Sequence, residues 1–89
     1  MKAIVTVVGK DRVGIIAGVC VKLAEYNVNV LDISQTVMQG YFTMMMATDV
    51  SEANIPLAEL ATAMDAAGKE MGLSIRVQRE DIFEAMHRI

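Results

Sequence analysis

From Ile4 to Val8 the chain runs through apolar and β-branched residues. It breaks at Gly9-Lys10-Asp11-Arg12-Val13-Gly14 and restarts at once with helical spacing. The pattern predicts a first strand over residues 2 to 8 and a first helix over residues 14 to 26, with Ile16, Val19, Cys20 and Leu23 on one face. Asp11 is the candidate N-cap. Residues 27 to 29 turn the chain into Val30 to Met38, where Leu31, Ile33 and Val37 alternate with Asp32, Ser34 and Thr36, the mark of a half-buried strand. Gln39-Gly40 then connects to a third strand, Tyr41 to Val50, giving an antiparallel hairpin.

Pro56 stands where a first-turn proline belongs, and Leu57, Leu60, Met64, Ala67 and Met71 follow at spacings of three and four, predicting a second helix stopped by Gly72. Leu73, Ile75 and Val77 alternate with Ser74, Arg76 and Gln78 in a fourth strand with one wet face. Asp81 and Glu84 match an N-cap and its third-position acid, opening a short terminal helix with Ile82, Phe83, Met86 and Ile89 on one side. The order strand, helix, strand, strand, helix, strand predicts an α+β, ferredoxin-like βαββαβ sandwich over residues 1–89 as a single domain: four antiparallel strands, two helices on one face, and a short C-terminal helix.

At 89 residues, 54% hydrophobic and 21% charged, the chain has the composition of one small folded core. Its mean hydropathy of +0.40, without any membrane-length apolar run, points to more apolar surface than one small globule hides, and so to self-association. A net charge of −3 with dispersed Lys and Arg argues against nucleic acid as a partner. The first residues carry no signal-peptide pattern, which predicts a cytoplasmic protein without membrane attachment. The single cysteine, Cys20, falls on the apolar helical stripe and reads as a structural thiol.

This fold hosts many activities, so the loops must choose among them. The first loop lacks the paired cysteines of a metal carrier. Gly9, Gly14 and Gly18 fit neither a dinucleotide nor a Walker spacing, so no nucleotide or other cofactor is assigned. Asp11, Asp32 and Asp49 are single acids in three separated segments, and no metal is assigned to them. The sole histidine, His87, lies in the last turn of the terminal helix, where a cation suits the dipole. An acylphosphatase-like enzyme would use an arginine in the first loop, and Arg12 resembles it, yet no asparagine lies between Tyr41 and Val50. The first junction is more informative. A strand passing through a glycine-flanked turn into a helix presents free backbone amides suited to a carboxylate. Gly14 either lets a ligand approach the backbone or relaxes the turn.

The residues Gly9 to Ile16, followed by Leu23-Ala24, Asn27-Val28-Asn29-Val30 and Asp32-Ile33, resemble an ACT domain, and the likeness spans nearly the whole chain. It is nearest to small stand-alone ACT-domain proteins of uncharacterised function. The resemblance implies a noncatalytic regulatory module that acts as a homodimer. An amino acid would bind between the first loop of one chain and the second strand of another, and occupancy would pass to a partner enzyme or regulator. Carried onto this chain, it implies a ligand loop of Asp11, Arg12, Val13, Gly14, Ile15 and Ile16. Asn27 and Asn29 would offer side-chain amides, and Asp11 or Asp32 would balance an ammonium group. The alternative is a structural interaction module without ligand, docking through the strand Val30 to Met38 or the terminal stripe Ile82-Phe83-Met86-Ile89.

Overall fold

The computed structural model describes residues 1–10 and 13–81. The elements run β1 (Lys2–Lys10), α1 (Ile15–Glu25), β2 (Asn29–Met38), β3 (Tyr41–Asp49), α2 (Leu57–Met71) and β4 (Leu73–Arg79). They form the ferredoxin-like βαββαβ topology, with one antiparallel sheet in the order β2-β3-β1-β4. The predicted terminal helix over residues 82 to 89, with its apolar stripe and His87, lies outside the described residues.

Alternation decides which side of the sheet meets the helices. Ala3, Val5 and Val7 of β1 pack with Phe42, Met44 and Met46 of β3 and with Leu73 and Ile75 of β4. The helices close this core with Ile15, Val19 and Leu23 from α1 and Leu60 and Met64 from α2. The three consecutive methionines therefore divide: Met44 and Met46 are fully buried, while Met45 points to the open face. Thr48 is the one buried polar side chain among the described residues, and its hydroxyl donates to the Ala3 carbonyl at 2.8 Å. This bond ties β3 to β1 without leaving a polar atom stranded.

The hairpin turns where the sequence predicts. Met38 pairs with Tyr41, and the two connecting residues, Gln39 (φ 52°) and Gly40 (φ 82°), take the paired positive φ of a type I′ turn. Three local expectations shift. The N-cap of α1 is Gly14 rather than Asp11, and Pro56 caps α2 one residue before its first turn. The third correction concerns β2, which is not half-buried: apart from the partly covered Val30, every one of its residues is exposed. A bulge between Val30 and Asp32 puts Leu31 out of phase with Ile33 and Val37. β2 is also the outer strand; α2 packs along β4, and α1 meets β2 only lightly. Ile33 and Val37 thus lie on the helix side without a helix above them, and Val37 remains 55% exposed.

Candidate functional site

The start of α1 is built by its glycine. Gly14 has φ 91°, a left-handed conformation that a side chain disfavours, and a Cβ placed there would meet nothing within 4 Å. The glycine therefore serves backbone geometry rather than close packing, and it leaves open space in front of the helix. Its carbonyl accepts from the Gly18 amide at 2.9 Å, starting the helical ladder, and the amides of Ile15, Ile16 and Ala17 precede the first residue that ladder can satisfy. They point outward at the positive end of the helix dipole.

In front of them is a cleft of about 360 Å³. Gly14 to Ala17 form one wall, and Gln35, Val37 and Phe42 from the β2–β3 hairpin form the other. The cleft combines a row of amide donors, apolar walls and one side-chain amide.

The predicted site residues do not all meet here. Asp11 and Arg12 lie outside the described residues. Val13 is fully exposed in the turn, whereas the Ile15 side chain belongs to the core, leaving its backbone amide for the cleft. Asn27 and Asn29 line a second cleft of about 400 Å³ with Ala24, Val28 and Glu52, at the opposite end of α1. The helix's 11 residues, at about 1.5 Å each, separate the two ends by roughly 16 Å. Asp32 opposes Ala47 on the open face of the sheet, where its carboxylate accepts from the Ile33 amide at 2.9 Å. One chain therefore assembles the amide cradle without Asn27, Asn29 or Asp32.

Asn27 has a structural task of its own. It sits at φ 59° after α1, and its side-chain amide donates to the Glu52 carbonyl at 2.8 Å, joining two loops at the lower end of the sheet. Asn27→Ala is expected to cost about 1–2 kcal/mol, because it loses this bond and keeps an unfavourable φ; Asn27→Gly, which tolerates that φ, is expected to cost less. Urea unfolding of both variants checks the order. Nearby, hydrogen bonds from the Ser51 side chain and backbone amide, helped by the adjacent N-terminal ammonium, hold the Asp49 carboxyl below its ordinary range. A lowered folded-state pKa favours the folded state above the ordinary carboxylate range, and that contribution fades as pH falls through the folded value.

Gln35, Val37, Phe42 and Ala17 were missed by sequence reasoning. Their signal was available: the two-residue turn opposes Val37 to Phe42, and strand parity then puts Gln35 and Val37 on the side that carries α1.

The model of the ACT domain family matches residues 2–78. The chain belongs to the ACT domain family. This ACT domain is similar over its full length to UPF0237 proteins of Listeria innocua and Clostridium acetobutylicum, at 52% and 55% identity over 89 residues that span 100% of each relative. Among solved structures it is similar to an ACT domain protein from Streptococcus pneumoniae, with a TM-score of 0.83 and 47% identity over 98% of both chains. It also resembles the regulatory subunit of aspartate kinase from Thermus thermophilus, with a TM-score of 0.64 and 25% identity over 86% of this chain and 50% of that one. ACT domains are regulatory modules that often bind amino acids. Among the described residues no helix is long and apolar enough to cross a membrane, and no group of three or more His, Cys, Asp or Glu could hold a metal ion.

Proposed function

We propose that this ACT domain is a noncatalytic, cytoplasmic regulatory module that binds a small amino acid as a homodimer and passes its occupancy to a partner enzyme or regulator. The observation that carries the reading is the cradle at the start of α1, where outward amides face a cleft with apolar walls. The ligand's carboxylate accepts from the amides of Ile15 to Ala17, and its side chain lies against Ile16, Val37 and Phe42. A small aliphatic side chain suits those walls better than a charged one. Gln35 supplies the polar handle opposite.

The second copy supplies what one chain lacks. β2 is a ten-residue outer strand without proline or lysine, and its free edge is a template for another strand. Two copies paired antiparallel along β2, centred near Ser34, bring Asn29 of the second copy to the Val37–Met38 end of the first, at the mouth of the cleft. Asn29 of the second copy then stands beside the site across the interface, and Asp11, three residues before Gly14 in the first copy's own sequence, is the acid proposed for the ammonium group, since Asp32 lies on the opposite face of the sheet. Binding at such a seam favours the paired state by its differential affinity, typically about 1–3 kcal/mol in coupled systems.

A thermal-shift screen of the twenty amino acids tests this reading. At least one is expected to raise the unfolding midpoint, by an amount corresponding to about 2.7 kcal/mol at a hundredfold excess over its dissociation constant. Val37→Asp, at an exposed position that should not impair folding, is expected to weaken that ligand at least about tenfold, because a carboxylate in the wall opposes the ligand's own. No shift with any amino acid at millimolar concentration, on folded and paired protein, would leave the ligand-free docking module as the better description.

A further inference from the structure

We infer that the chain's own residues 82–89 cover the middle of the sheet's open face, their apolar stripe lying as a helix along β1 and β3. On that face of a single chain Ile4 opposes Ala47, Thr6 opposes Met45 and Val8 opposes Thr43, a strip two strands wide without a charge. The strands on either side are polar there: β2 presents Asp32 and Ser34, and β4 presents Arg76 and Gln78. An antiparallel face that meets only water usually spreads polar groups across it, yet Val8 is 42% and Met45 38% exposed between the two polar strands. The strip has the measure of one helix. Two strands at about 4.8 Å each make it about 10 Å wide, and the step from Ile4 to Val8 makes it about 13 Å long. A helix is about 10–12 Å across with its side chains, and eight residues of it run about 12 Å. A second sheet laid on this face would bury Asp32 and Arg76, which a helix over β1 and β3 leaves in water.

The chain itself supplies that helix. β4 ends at Arg79, and Gln78 pairs with Ile4, so the backbone leaves the sheet beside one end of the strip. Eight residues follow Asp81 in the sequence, and at helical spacing Ile82, Phe83, Met86 and Ile89 share one side while Glu84, His87 and Arg88 take the other. Laid back along β1, such a helix extends from Ile4 to Val8 with its apolar side down and its charges in water. The groove between α1 and α2, walled by Ala17, Val21 and Met71, is also apolar, but it opens on the outer side of the helix layer. Passing that layer, about 10–12 Å thick, would use the whole length of the segment and leave none to dock. Attachment favours the segment over a second copy as well, because a short tether gives an effective concentration on the order of millimolar.

Side-chain nuclear Overhauser measurements on the full chain test the cover. Contacts are expected from Phe83 and Met86 to Ile4 and Met45 in a uniformly labelled sample. The same contacts are expected to be missing from an isotope-filtered spectrum of mixed labelled and unlabelled chains, which retains only contacts between copies. Met45→Lys on the sheet and Phe83→Ser on the segment are each expected to abolish them and to shift the Val8 and Ala47 resonances, with circular dichroism unchanged. Because the two substitutions lie on opposite sides of the contact, a fold defect in one variant leaves the other to decide. Contacts from residues 82–89 to α1 or α2 overturn the inference, as do contacts to the sheet that survive the filter, contacts retained in both variants, or no contact from the segment to the sheet at all. The strip and the cleft at α1 lie on opposite faces of the sheet, so this result is independent of whether an amino acid binds.

Discussion

Leu23→Ala is expected to lower stability by about 2–5 kcal/mol, the range for truncating a buried leucine in a packed core. Leu23 is completely buried on the inner face of α1, in the same cluster as Val5, Val7, Met44 and Met46. The neighbours come from rigid strands and from α2, so the space left by three carbons and their hydrogens cannot collapse freely, and the lost contacts add to the lost hydrophobic transfer. For a domain of this size each kcal/mol moves the thermal midpoint by about 4–8 °C, which makes the change readily measured by circular dichroism. Protein concentration must be held constant, because association adds to apparent stability. Val21→Ala, two residues earlier and 60% exposed, is the control and is expected to change stability by less than about 0.5 kcal/mol. Equal effects at the two positions would contradict the packing of α1 described above. Since α1 also carries the amide cradle, Leu23→Ala is further expected to weaken any amino-acid response, while Val21→Ala preserves it.

Gly68→Ala reverses the usual helix rule. Alanine inside a helix is ordinarily favoured over glycine by about 0.5–1 kcal/mol. At position 68 a Cβ would stand 2.8 Å from the Leu73 carbonyl oxygen and 3.0 Å from Ile75 Cγ1, so α2 and β4 would have to separate. The obstacle is backbone held in the β1–β4 ladder, and it cannot rotate aside. A net loss of about 1–3 kcal/mol is expected, in the range for overpacked cores. Gly18→Ala provides the contrast. Its Cβ would meet Met71 Cε at 2.8 Å, the far end of a flexible side chain, so the methionine can give way and the helix gains. Chemical denaturation of the two variants is therefore expected to give opposite signs. A stabilised Gly68→Ala would mean that α2 rides higher over β4 than the structure places it.

These two glycines separate what a linear pattern carries from what it cannot. Both lie in segments that read as helix, and nothing in their immediate neighbours distinguishes one from the other. The difference arises from what crosses above or below each residue: a carbonyl of β4 in one case, a methionine tip in the other. The same limit applies to β2. Its alternation of Leu31, Ile33 and Val37 with polar residues promises a buried side, but whether a helix lies over that side depends on strand order, and the bulge at Leu31 shifts the phase.

The amino-acid sequence by itself determined the element order, the Gln39-Gly40 turn, the division of Met44, Met45 and Met46 between two faces, the ACT resemblance, and the amide-presenting junction ending at Gly14. Each of these is local, because periodicity, turn chemistry and backbone preference act over a few residues. Only the tertiary structure decided that Gln35, Val37 and Phe42 face that junction, that Asn27 and Asn29 stand at the other end of α1, and that β2 is left uncovered at the margin. Those are distances between segments remote along the chain, set by which strands pair and where the helices pack upon them.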